Sequence, residues 1–245
     1  MTPKLSGVAV VTGASSGIGR AVALALARHG MSLFLTGRDG PRLESCHRDA
    51  AAIGVEVASH QADLSSDDAI RGLSAAVTSR FGKVDVLVHA AGALALGNIE
   101  EAGWGDLDDL YRLNLRMPFL LTKLLLPLLQ EARGQIVFVN STAALQVAAD
   151  NGLYAATKHA LRSLAGSIRE HVNPQGVRVL SVFPGRTATP MQEAVQRFER
   201  RTYDAASLLQ PSDVADVVVS ALVLPRTGEV TEIIVRPMQK PEVMP

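Results

Sequence analysis

The stretch from Val8 to Arg20 limits what this chain can fold into more than any other. Four apolar residues, Val8-Ala9-Val10-Val11, run into Thr12-Gly13. Three small residues follow, and Gly17 and Gly19 open an alanine- and leucine-rich segment, Ala21 to Arg28. That order reads as strand, glycine turn and helix. Such a turn offers bare backbone N–H groups and the positive end of a helix dipole, which is what a phosphate needs, and a side chain at Gly13, Gly17 or Gly19 would stand in its way. The spacing, Gly-x-x-x-Gly-x-Gly, departs from the commoner Gly-x-Gly-x-x-Gly, and a glycine turn also serves simply to make a tight corner.

The rest of the chain repeats the strand-then-helix theme. Gly30 is a candidate helix C-cap, and strands are expected at Met31 to Thr36, Val55 to Gln61, Val84 to Val88, Gln135 to Asn140, Val177 to Phe183 and Val230 to Val235. Between them, helices are expected at Arg42 to Ile53, Asp67 to Phe81, Leu107 to Asn114, Met117 to Gln130, Gly152 to His171 and Ser212 to Leu222. The strands are nearly all apolar, so both faces of the sheet must be covered. The expected fold is a doubly wound, Rossmann-like α/β sheet of about seven parallel strands. Residues 1–245 form a single domain in this reading, with a less regular arm from Arg186 to Leu209 and an irregular tail from Arg236 to Pro245.

Composition narrows the partners. Lys plus Arg number 24 and so do Asp plus Glu, so no long-range field draws the chain to nucleic acid or to an anionic membrane, and a small-molecule partner is expected. The single cysteine, Cys46, rules out an internal disulfide and leaves no cysteine cluster for a metal, which fits a reducing cytoplasm; no metal is expected. Met1 to Leu5 lacks a hydrophobic segment with a cleavage site, and the longest apolar run, Met117 to Leu129, is broken by Lys123 and Pro127 and is too short to span a bilayer of about 30 Å.

In such a sheet, ligands sit outside the carboxyl ends of the strands. Arg38, 19 residues past Gly19, stands where the adenosine ribose of a dinucleotide is met, and its planar fork suits the 2′-phosphate of NADP. Asp39, one place on, is the rival that would accept from the free ribose of NAD. Asp63 can accept from an adenine amino group or begin the next helix as a cap. Ala90-Ala91-Gly92 forms a second small-residue loop that lets backbone approach a cofactor closely. Ser141 follows the Gln135 strand, 13 residues before Tyr154, and Tyr154 and Lys158 share one helix face. A general acid/base near neutrality needs the tyrosine pKa moved down from about 10, and a lysine cation one turn away favours the phenolate. A helical tyrosine is also a common packing residue.

Taken together in order, Thr12-Gly13-x-x-x-Gly17-x-Gly19, Asp63, Ala90-Ala91-Gly92, Asn114, Ser141, Tyr154-x-x-x-Lys158 and Pro184-Gly185 with Thr189 resemble the short-chain dehydrogenase/reductase family over nearly the whole length. The resemblance implies that Tyr154 is the catalytic acid/base, Ser141 orients the substrate oxygen, and Lys158 binds the nicotinamide ribose. Asn114, placed in a helix interior, would hold a water of a proton relay. It also implies that Ser15, Ser16, Ile18 and Leu64 line the cofactor pocket, and that Pro184, Gly185, Thr187 and Thr189 reach the nicotinamide amide or the phosphates. One departure is His89-Ala90, where the family commonly has two asparagines; bracing of the strands is expected to weaken, and His89 reads as a core histidine.

The substrate is then a small carbonyl compound or alcohol. Leu94, Leu96, Leu145 and Val147 point to a pocket more apolar than charged, with the arm from Arg186 to Leu209 over it. The family is often dimeric or tetrameric, and the helices Met117 to Gln130 and Gly152 to His171 are expected to build a homodimer or homotetramer. Two other readings stay open: a non-catalytic NADP-binding regulator, and a 3-oxoacyl thioester reductase, whose carrier protein would want a basic patch that the balanced charge does not offer.

Overall fold

The computed structural model describes residues 5–238. The first four residues lie outside the described residues, and of the irregular tail expected from Arg236 to Pro245 only residues 236–238 are described, with no helix or strand; the remainder lies outside them. Seven strands, β1 (Val8–Thr12), β2 (Ser32–Gly37), β3 (Val57–Gln61), β4 (Val86–His89), β5 (Gln135–Val139), β6 (Arg178–Pro184) and β7 (Glu232–Val235), form one sheet in the order β3-β2-β1-β4-β5-β6-β7. Every pairing is parallel. Helices α1 (Gly17–Arg28), α2 (Gly40–Ala51), α3 (Asp67–Phe81), α4 (Trp104–Tyr111), α5 (Met117–Glu131), α6 (Gly152–Val172), α7 (Pro190–Phe198) and α8 (Pro211–Leu222) complete the described secondary structure, apart from single turns.

Strand alternation explains the two-sided core. Ala9 and Val11 of β1, Leu33 and Leu35 of β2, and Val137 and Val139 of β5 face one side, where α1, α2 and α8 pack. Val10, Phe34, Ile136 and Phe138, one residue off in each strand, face the other side with α3, α5 and α6. Period-two patterning on β-branched and leucine-rich strands thus buries both sheet faces, as the sequence required. The chain runs outward from β1 to β3, then crosses back to place β4 on the other side of β1. A crevice opens at that reversal, between the carboxyl ends of β1 and β4.

Three expectations change. The arm is less irregular than its sequence suggests: Thr189 accepts from Gln192 N at 3.2 Å and Pro190 opens α7, a nine-residue helix. Asn114 does not lie in an α-helix interior, because Arg112–Arg116 forms a π-helical turn between α4 and α5. Asp63 is not the cap of α3; its carboxylate folds back to accept from Ser65 N at 3.0 Å, and Ser66 occupies the N-cap position.

Candidate active site

The carboxyl ends of β1, β2, β4, β5 and β6 open into one cavity of about 730 Å³. Gly13, Ser15, Ser16, Gly17, Ile18, Gly19, Arg38, Asp63, Leu64, Ala90, Ala91, Gly92, Ser141, Tyr154, Lys158, Pro184, Gly185, Thr187 and Thr189 all line it, so residues chosen from seven separate stretches of sequence meet in one place.

The glycine turn is shaped by close approach. Gly13 sits at φ +66°, and a Cβ there would come within 2.7 Å of Ala91 N; a Cβ on Gly19 would come within 2.3 Å of Gly13 O. Ser16, the N-cap of α1, makes no side-chain cap bond, so the first-turn N–H groups are left for an incoming acceptor at the positive end of the helix. A Cβ on Gly17 would meet Thr189 Cγ2 at 2.9 Å, which places the N-terminus of α7 directly over the turn. These features fit a dinucleotide pyrophosphate.

At the far end of β2, Arg38 is exposed and takes no ion-pair partner among the described residues. Its rival Asp39 is already engaged: it caps α2 by accepting from Arg42 N at 3.0 Å and pairs with Arg42 Nε at 3.4 Å. Arg42, which the sequence reading passed over, lines the cavity beside Arg38. Asp63 is exposed at the same end, and the N–H of Ser65 holds its carboxyl below the usual range.

The loop after β4 keeps its bracing by another route. Thr12 Oγ1 accepts from both Ala90 N and Ala91 N at 3.1 Å and donates to Val88 O at 3.3 Å. His89 is buried, as expected of a core histidine: Nε2 meets Thr122 Oγ1 at 2.8 Å and the ring stacks on Phe138 at 4.9 Å. Its Nδ1 has no partner among the described residues, and burial pushes its pKa down to about 3, so the ring is neutral. Asn114 is buried behind the loop rather than lining the cavity. It accepts from Ala93 N at 2.8 Å and donates to Ala93 O at 3.0 Å and to Thr157 Oγ1 at 3.1 Å. Both amide hydrogens are therefore committed, and the side chain ties the Gly92 loop to α6.

Around the reacting position, Ser141 Oγ accepts from Ala143 N at 3.1 Å, which leaves its hydrogen to point elsewhere. Asn140, not singled out from sequence, donates to Lys158 O at 3.1 Å and accepts from Ser141 N at 2.9 Å, fixing strand end and helix together. Its signal was position alone: the polar residue at the end of an apolar strand, next to Ser141. Lys158 is 5% exposed, donates to Val139 O at 3.3 Å and lies 5.7 Å from the Tyr154 ring centre. Burial draws its ammonium down to about 8. Burial also raises the Tyr154 phenol, and a hydrogen bond from Ser141 works against that rise. The downward shift expected for Tyr154 from its lysine neighbour is thus not what this protein alone displays, because burial of the phenol outweighs the hydrogen bond from Ser141.

The substrate end corrects a further expectation. Leu94, Leu96 and Val147 line the cavity but Leu145 does not, and Arg186, Glu199 and Asp150 line it as well, so the wall is not predominantly apolar.

A family model described as short chain dehydrogenase matches residues 7–200. An uncharacterised oxidoreductase of Staphylococcus epidermidis is 32% identical over 232 residues, covering 94% of this chain and 97% of that protein. Among solved structures, an alcohol dehydrogenase of the archaeon Thermococcus sibiricus, complexed with 5-hydroxy-NADP, is 32% identical with a TM-score of 0.88, covering 97% of this chain and all of that one. A metagenomic short-chain oxidoreductase in complex with NADP is 33% identical with a TM-score of 0.82, covering 96% of this chain and 98% of that one.

Proposed function

The chain belongs to the short-chain dehydrogenase/reductase family of NAD(P)-dependent oxidoreductases, and on that footing we propose that it interconverts a small carbonyl compound and the corresponding secondary alcohol, with NADP(H) as the preferred coenzyme. The observation that carries this reading is the meeting of Ser141, Tyr154 and Lys158 with the glycine turn in one cavity. When bound, the nicotinamide supplies or accepts the hydride at the carbon of the C–O bond. Gly13 to Gly19 and the open N-terminus of α1 would hold the pyrophosphate, Thr187 and Thr189 the nicotinamide side, and Asp63 and Leu64 the adenine side.

In reduction, Ser141 turns its hydroxyl hydrogen from Tyr154 to the substrate oxygen, and Tyr154 delivers a proton to that oxygen. The raised pKa of Tyr154 keeps the phenol protonated near neutrality, which is the form an acid needs. Asn114 and Asn140 act on the reaction by holding the Gly92 loop, Ser141 and Lys158 in register. Preference for NADP rests on Arg38 being open while Asp39 caps α2, and the similar enzymes solved with 5-hydroxy-NADP and NADP support it. Assembly into a homodimer or homotetramer and a cytoplasmic location belong to the same reading. No helix among the described residues is long and apolar enough to cross a membrane.

One assay tests the proposal: coenzyme oxidation with a panel of ketones and aldehydes. Wild type should turn over with NADPH. Tyr154→Phe should lose most of kcat, by roughly a hundredfold or more, with NADPH affinity nearly intact. Arg38→Ala should weaken NADPH far more than NADH. Binding of NADPH without turnover on any carbonyl would instead make the chain a nucleotide-binding regulator, and equal losses for both coenzymes would remove the NADP preference.

A further inference from the structure

Beyond the reacting carbonyl, the cavity wall carries a group of charges that general carbonyl chemistry does not need. Continuing the β5–β6 register, in which Val139 faces Val182, Pro184 stands opposite Ser141. Arg186 is two residues further along, at the base of the arm. Its guanidinium forms a two-pronged pair with Glu199, just past the end of α7, with Nη1 to Oε2 at 2.7 Å and Nη2 to Oε1 at 2.5 Å. The pair is largely withdrawn from water, at 31% and 17% side-chain exposure. Asp150, four residues before Tyr154, is close enough to add to the field that holds Arg186 charged, and Arg201 lies 3.8 Å from Glu199 on the other side. Arg186, Glu199 and Asp150 all line the cavity that holds Tyr154.

We propose that Arg186 and Glu199 form a recognition site for a second, uncharged oxygen function on the substrate, so that the substrate class is a hydroxylated ketone or its diol rather than a simple aliphatic or cyclic ketone. This rests on the oxidoreductase reading above and deepens it. A guanidinium has five N–H donors, and Glu199 takes one from each Nη. The other three have no acceptor among the described residues, while each Glu199 oxygen keeps a lone pair. A hydroxyl can accept from the first group and donate to the second at once. A carboxylate cannot: two guanidinia and two carboxylates cancel here, and an anionic substrate group would face Glu199 and Asp150 with no net attraction. An apolar group would strip water from the pair and return no hydrogen bond.

The test uses three matched ketones with NADPH: cyclohexanone, 2-hydroxycyclohexanone and 4-oxocyclohexanecarboxylate. In the wild type, kcat/KM should be at least tenfold higher for the hydroxyketone than for cyclohexanone, and lowest for the carboxylate. The hydroxyketone-to-cyclohexanone ratio should fall to within about twofold of unity in Arg186→Met and in Glu199→Gln, the second variant keeping the volume of the side chain. Turnover without preference, preference for the carboxylate, or an unchanged ratio in both variants would overturn the substrate class and leave the oxidoreductase reading standing. No turnover of any of the three, nor of the broader panel, would overturn both.

Discussion

A lysine folded into a site where it is nearly out of water carries a cost that can be read against pH. Burial draws Lys158 down to about 8, whereas in the unfolded chain its pKa is about 10.4. The unfolded state therefore binds more protons between those values, and native stability rises as pH climbs through that window, with the full penalty present below pH 8. Lys158→Met should be more stable than the wild type at pH 7 by about 2 kcal/mol, a burial cost of roughly 3 less about 1 for the bond to Val139 O. The gap should close toward pH 10. Urea unfolding at pH 7, 8.5 and 10 checks this, and a variant no more stable than wild type at pH 7 would refute it. At this scale Tyr154, Lys158 and Ser141 were legible because their chemistry is local and their spacing fixed. Arg186 and Glu199 were visible only as charges in an arm, since their meeting depends on where α7 turns, which no periodicity of nine residues makes certain.

The elements tell a similar story of local signals and distant partners. The glycine turn, α1 and the alternating strands follow directly from pattern, and strand ends fell within about two residues of the observed ones. Thr12 could be seen only as the last residue of a strand, because the amides it holds are 78 and 79 positions away. The Asn114 turn was hidden for the same reason: its partners Ala93 and Thr157 come from a loop and another helix, and the π-helical widening that aims the side chain at them is a tertiary effect. Thr12→Val keeps the shape and removes the hydroxyl, leaving the Ala90 and Ala91 N–H groups without an acceptor. It should cost about 2 to 4 kcal/mol, read as a lower denaturant midpoint at unchanged slope. A loss under about 0.5 kcal/mol would mean that water replaces the hydroxyl.

For the molecule as a whole, assembly can be argued from one run of exposed apolar side chains. On α4, Trp104, Leu107 and Tyr111 stand at i, i+3 and i+7 with exposures of 101%, 46% and 44%, and Phe119 of α5 is 44% exposed. Phe119 belongs to one of the two helices expected to build the assembly, and we expect a second copy of the chain to bury apolar surface along this stripe. Leu107→Asp with Phe119→Asp should halve or quarter the mass seen by light scattering, and a wild type already monomeric at micromolar concentration would dispose of the idea. The same parallel sheet that gathers every working group at one rim leaves the opposite rim to connections alone. There the chain re-enters the sheet through Gly30, Gly54, Gly82 and Gly176, all at positive φ. The catalyst therefore has a blunt end: a tether or a fused partner attached at those bends would hang from the side facing away from the opening, and a surface could hold the protein there while its mouth stays clear.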